Sequence, residues 1–136
     1  MKDLIEHLAK YWSFLWVAGR YRITDSTVST HFGGDAVLVI VSEALRLRFV
    51  RDRGQLFLDV QPSWAGKTAE WYSVDLVYRL VTGQRQESAE LNKEYVDFAR
   101  VRLPEIESLF SHKEAFRASK AKLDELKNLR AKEMFG

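Results

Sequence analysis

Two stretches of the sequence carry side chains able to do chemistry. One is His31-Phe32-Gly33-Gly34-Asp35, and the other is the run of arginines Arg46, Arg48, Arg51 and Arg53 around a turn. An imidazole and a carboxylate four residues apart across glycines can form an acid–base pair or half of a metal site. No nucleophile or third ligand is assignable beside them, and the glycine pair lacks the spacing of a phosphate-cradling loop. The remaining histidines, His7 and His112, are widely separated and show none of the close pairs of a zinc helix. The chain contains no Cys, which excludes disulfides, thiolate nucleophiles and Cys-based zinc sites together. That composition suits a reducing, cytoplasmic compartment. Glu105 and Glu107 lie two apart in a helical stretch and point to different sides, so they make no glycosidase-like dyad. The expectation from these residues is a non-catalytic protein with no metal and no cofactor.

The arginines point to recognition. In Leu45-Arg46-Leu47-Arg48-Phe49-Val50 apolar residues and Arg alternate, so Arg46 and Arg48 project from one face of a strand and Leu45, Leu47 and Phe49 from the other. Arg51 and Arg53 crowd the adjoining turn, and Arg20 and Arg22 lie on a stretch able to neighbour them. Guanidinium offers planar, bidentate donors to carboxylates and phosphates. One reading is a solvated sheet face whose arginines pair with Asp59, each pair worth about 0.2–1 kcal/mol. The other is a surface for an acidic protein or, as the alternative, nucleic acid. A net charge of +2 argues for no polyanionic partner in bulk. No aromatic alternates with the arginines as in single-strand stacking platforms. The aromatics Trp64, Trp71 and Tyr72 flank the loop after the sheet, as core filler or as interface anchors. The candidate partner-binding residues are therefore Arg46, Arg48, Arg51, Arg53, Trp64 and Trp71.

The elements that must position these residues follow from periodicity. Residues 2–18 place Leu4, Ile5, Leu8, Tyr11, Trp12, Leu15 and Trp16 at helical spacing, with Gly19 as a stop. From Tyr21 to Thr30 β-branched and aromatic residues predict strand, with a bulge or turn at Asp25-Ser26. Ala36–Val41 is a continuous apolar run, expected of a central strand covered on both faces. The Arg strand turns near Asp52-Arg53-Gly54 and returns through Leu56, Leu58 and Val60. Its exact loop is left open between a plain two-residue turn at Asp52-Arg53 and a bulge at Gly54. Ser73 and Gly83 bracket a helix, a second runs from Ala89 to about Ser111 with Pro104 expected to kink or split it, and 113–134 forms a third. Its Phe116, Leu123, Leu126 and Leu129 stripe packs on the preceding helix or pairs with a partner. The fold predicted is a single α+β domain over 1–136: an N-terminal helix, a four-stranded antiparallel meander, then three or four helices. No apolar run approaches the ~20 residues of a membrane span, and Asp3 and Glu6 interrupt the basic start of a signal peptide.

The stretch Leu45–Gln55, the later Glu70-Trp71-Tyr72 and the terminal Met134-Phe135-Gly136 together resemble small bacterial proteins. Some of these are similar to the immunity proteins that neutralise polymorphic or contact-dependent toxins. The resemblance covers the hairpin and the start of the helix after it. It implies a cytosolic, non-catalytic binder that covers a toxin's active site, and it carries no shared binding motif onto particular residues.

Overall fold

The computed structural model describes residues 1–17, 19–28, 35–66 and 68–135. Five strands, β1 (Arg22–Val28), β2 (Ala36–Val41), β3 (Leu45–Asp52), β4 (Gln55–Pro62) and β5 (Tyr72–Ser73), form one sheet in the order β1-β2-β3-β4-β5. All neighbours are antiparallel, so the predicted meander is present with one strand more than expected. The addition is only two residues long. It exists because Tyr72, 1% exposed, must be held beside Val60 to bury its ring. Four helices accompany the sheet: α1 (Lys2–Tyr11), α2 (Val74–Thr82), α3 (Lys93–Phe110) and α4 (Lys113–Phe135).

Strand pleating divides the sheet cleanly. Ala36, Leu38, Ile40, Leu45, Leu47, Phe49, Leu58 and Val60 share one face and join the side chains of all four helices in one core. None of Val37, Val39, Val41, Val50 or Phe57 on the opposite face belongs to that core. The expectation that Ala36–Val41 is covered on both faces holds only at its middle: on the side away from the helices Val39 is buried, while Val37 and Val41 are half-buried. The strand reads as a continuous apolar run because its second face is apolar too, and burial does not follow from composition alone.

The helix expected from Ala89 begins at Lys93, and three further features differ from the periodicity. The first helix stops at Tyr11 and continues only as a 3₁₀ turn over Ser13–Leu15. Trp12 leaves helical backbone values (φ −116°, ψ 19°), and its ring, 1% exposed, meets Phe49 edge-on at 5.0 Å. Burying a large ring stabilises by about 1.5–3 kcal/mol, more than one further helical residue contributes. Pro104 sits inside α3 without splitting it. The hydrogen bond it removes would have gone to the carbonyl of Arg100, and both residues lie on the exposed side, where that carbonyl is not shut away from solvent. Leu129, expected in the buried stripe of α4, is 41% exposed, while Phe116, Leu123 and Leu126 are buried. The αα-hairpin reading of α3 and α4 fits the contacts of Phe110 with Phe116 (5.1 Å) and of Ser119 Oγ with the Leu109 carbonyl (3.0 Å).

Strand β1 stands apart from this arrangement. Every one of its residues is exposed, including Ile23 and Val28 at 55% and 54%. Its register with β2 slips between Ile23 and Asp25, which leaves Thr24 as the extra residue of a bulge. The irregularity therefore falls one residue before the Asp25-Ser26 position suggested by the sequence.

Candidate functional site

The β3–β4 hairpin closes with Asp52 opposite Gln55, leaving Arg53 and Gly54 as the loop. Both have positive φ (54° and 82°), the requirement of a type I′ turn that matches strand twist. Gly54 accepts this freely, whereas Arg53 meets a steric penalty of about 1–2 kcal/mol. The Asp35 carboxylate helps hold the turn by accepting the Arg53 backbone N–H at 3.1 Å. Leu47 now faces Val60 and Phe49 faces Leu58, so the apolar residues share a face as the sequence demanded. The turn lies one residue later than a plain Asp52-Arg53 loop, and no bulge is needed.

The six candidate residues do not form one surface. Arg46 and Arg48 share the outer face, and both guanidinium groups are occupied within the molecule. Arg46 donates to Gln61 Oε1 (2.5 Å) and to the Ser63 carbonyl (3.1 Å). Gln61 is fully buried although it lies on the outer face, and its amide donates to the Ala69 carbonyl at 2.8 Å. The Ser63 and Ala69 carbonyls thus close over this end of the outer face. Arg48 donates through Nε (3.1 Å) and Nη2 (2.7 Å) to Asp59 Oδ2, and Trp71 stacks over its guanidinium carbon at 4.4 Å. Arg51 belongs to the helix-covered face, where it pairs with Asp3 of α1 at 3.5 Å. Arg53 sits at the turn, with only a loose contact to Asp52 at 3.9 Å. Arg22 is separated from Arg46 by Val41 of the intervening strand, and Arg20 reaches Glu107 of α3 instead.

Trp64 lies elsewhere, against α4. Its ring is 41% exposed and meets Phe116 edge-on at 6.1 Å, while its indole N–H donates to the Phe110 carbonyl at 2.7 Å. Together with Tyr72, Ala65, Ala69 and the Lys113–Lys120 face of α4 it lines a cleft of about 350 Å³. Below the cleft runs a charged network. Tyr72 Oη donates toward Asp124 Oδ1 (2.7 Å), Lys120 donates to Asp124 Oδ2 (2.9 Å) and to Tyr72 Oη (3.1 Å), and Lys127 holds Glu70 at 2.5 Å. Lys127 holds the Glu70 carboxyl below its usual range, with burial as the next and opposing influence. Burial and then Asp124 push the Tyr72 phenol upward, while Asp124 and Tyr72 hold Lys120 protonated.

Two residues of this cleft, Lys113 and Arg117, carry no sequence prediction. Their signal was nevertheless available: on α4, Lys120 has Asp124 four residues on, whereas Lys113 is followed at that spacing by Arg117 and Arg117 by Ala121. Neither makes a hydrogen bond or ion pair with the described residues, so both leave their charge unmatched at the cleft mouth.

The side chains considered for catalysis are dispersed. His31 lies outside the described residues, and Asp35 serves the hairpin turn. Glu105 pairs with Arg102 (2.8 Å), whereas Glu107 accepts from Tyr21 (2.7 Å) and Arg20 (3.0 Å). His112 Nδ1 accepts the Ala115 N–H at the start of α4 (3.3 Å). His7 Nε2 accepts the Trp12 indole N–H at 3.1 Å, and burial lowers its pKa, so the ring is neutral and tethers α1 to the buried indole. Among the described residues no three His, Cys, Asp or Glu side chains group as metal ligands, and no helix is long and apolar enough to cross a membrane. No family model, no curated protein and no solved structure matches this chain.

Proposed function

We propose that this chain is a non-catalytic protein-binding module of the immunity type, acting by covering a partner such as a toxin domain. The observation that carries the reading is the one-sided sheet. Helices cover the leucine face, and the opposite face is left with half-buried Val37, Val50 and Phe57 beside the Arg48–Asp59–Trp71 cluster. A rigid strand surface holding apolar side chains around a locked Arg and a Trp has the composition of an interface centre. The internal partners of Arg46 and Arg48 favour a protein over nucleic acid, because a guanidinium already paired within the fold offers fewer donors and less unmatched charge to phosphate. The resemblance of the hairpin to proteins similar to toxin-immunity proteins supports the same reading and suggests cytoplasmic action. The test is the affinity for the protein encoded by the neighbouring upstream gene. Binding tighter than micromolar is expected, weakened by Phe57→Glu and insensitive to salt. No binding of that strength overturns the reading. Steeply salt-dependent binding to oligonucleotides, lost in the Arg46→Ala/Arg48→Ala double variant, turns it toward nucleic acid instead.

A further inference from the structure

The cleft between the Ser63–Ala65 turn and α4 lies away from the outer sheet face and is built differently. Lys113, Phe116, Arg117 and Lys120 follow one another at i, i+3, i+4 and i+7, so they form one stripe of α4. Phe116 forms the floor, Trp64 the facing wall, and the three cations the rim. The polar edge of Trp64 is already satisfied by the Phe110 carbonyl, so what the indole offers to a visitor is its apolar surface. The one carboxylate lining the cleft, Glu70, is bound by Lys127 and lies 3.6 Å from the Lys120 ammonium, and its neighbour Asp124 is bound by Lys120 and by the phenol proton of Tyr72. The acids at this site are thus neutralised from within. Lys113 and Arg117 are the charges left over, and they stand at the first turns of α4, where the helix dipole also favours an anion.

We propose that this cleft binds an acidic peptide segment of a partner protein, with one large apolar side chain laid against the exposed surface of Trp64 above Phe116 and flanking carboxylates on Lys113 and Arg117. The choice of occupant follows from charge complementarity. A neutral apolar segment leaves both cations desolvated and unmatched. A basic one is repelled, and an acidic one with an apolar anchor satisfies wall and rim together. The inference rests on the reading of the chain as a protein-binding module, but not on its outer sheet face.

The experiment uses the full chain and a synthetic peptide with one central phenylalanine flanked on both sides by glutamates, followed by amide and indole NMR shifts. Saturable shifts at the Trp64 indole and over 113–120 are expected, weakening as salt rises. The peptide with glutamines in place of the glutamates, and the one with alanine in place of phenylalanine, each bind at least tenfold more weakly. Lys113→Glu/Arg117→Glu removes binding while far-UV circular dichroism stays unchanged; Trp64→Ala removes it as well, and the charge variant keeps the result interpretable if that one fails to fold. No shift at millimolar peptide overturns the proposal, as does stronger binding of an oligonucleotide or self-association through the same residues. If the upstream gene product binds and the charge variant leaves that affinity unaltered while the peptide gives no shift, the cleft fails and the module reading stands. If Phe57→Glu and the charge variant both leave the partner unbound in the unmodified chain's range, each surface contributes.

Discussion

The two faces of strand β3 are drawn from alternate residues of one short sequence, yet they are held by different physics. On one side Leu45, Leu47 and Phe49 disappear into a continuous core with α1 and the C-terminal helices. On the other, Arg46 and Arg48 are only half-buried and are fixed by named partners: Gln61, the Ser63 carbonyl, Asp59 and Trp71. The first face is stabilised by area removed from water, which is insensitive to which neighbour supplies it. The second depends on directional contacts, each small and each breakable by one substitution. The comparison teaches that alternation in a strand locates the core side with confidence, and that it does not reveal whether the polar side is free for a partner.

Substitutions on the two faces sharpen that contrast. Phe49→Ala on the core side removes a fully buried ring and its edge contact with Trp12. A loss of about 3–5 kcal/mol in denaturant unfolding is expected, and a loss below that of the outer-face variants breaks the comparison. Gln61→Leu tests a place where the outer face is as buried as the core. It leaves Arg46 and the Ala69 carbonyl short of a partner, so a loss of about 1–3 kcal/mol is expected. An unchanged midpoint shows instead that the 63–71 segment is not seated by that amide. The smallest effect belongs to Arg48 and Asp59, whose side chains remain 33% and 20% exposed. A double-mutant cycle with Arg48→Ala and Asp59→Ala should return a coupling of about 0.2–1 kcal/mol. A coupling well above that range makes the pair a structural anchor and removes it from the binding surface.

The fold was legible where burial and backbone chemistry agree. The β3–β4 hairpin, the Gly83 helix stop with φ 76° and its N–H bonded to the Arg79 carbonyl, and the long α4 all follow from local patterns. The early end of α1 was not legible, because the stripe that predicts helix through Trp16 is made of the residues whose burial ends it at Trp12. Ser73 occupies the N-cap position of α2, but its hydroxyl donates to Asp75 at 2.5 Å and accepts from Arg130 of α4 at 2.8 Å. That tertiary competition is invisible in a cap motif. The site was legible as residue types and not as a surface. Arg46 and Arg48 were placed on one face correctly and Asp59 was foreseen as a partner, but Gln61, the Ser63 carbonyl and Trp71 come from 15 or more positions away. Trp64 and Trp71, seven residues apart in sequence, end on opposite sides of the sheet, one over α4 and one over Arg48.

The fully exposed strand β1 has a consequence for how this sequence tolerates change. With no side chain in the core, its seven positions are asked only to stay extended, so drift there meets little resistance from stability. What does constrain it is an unpaired edge that invites other chains. The bulge at Thr24 and the charges of Arg22 and Asp25 guard against such pairing. A smoother, more apolar β1 would leave the core intact and open this edge to pairing with other strands.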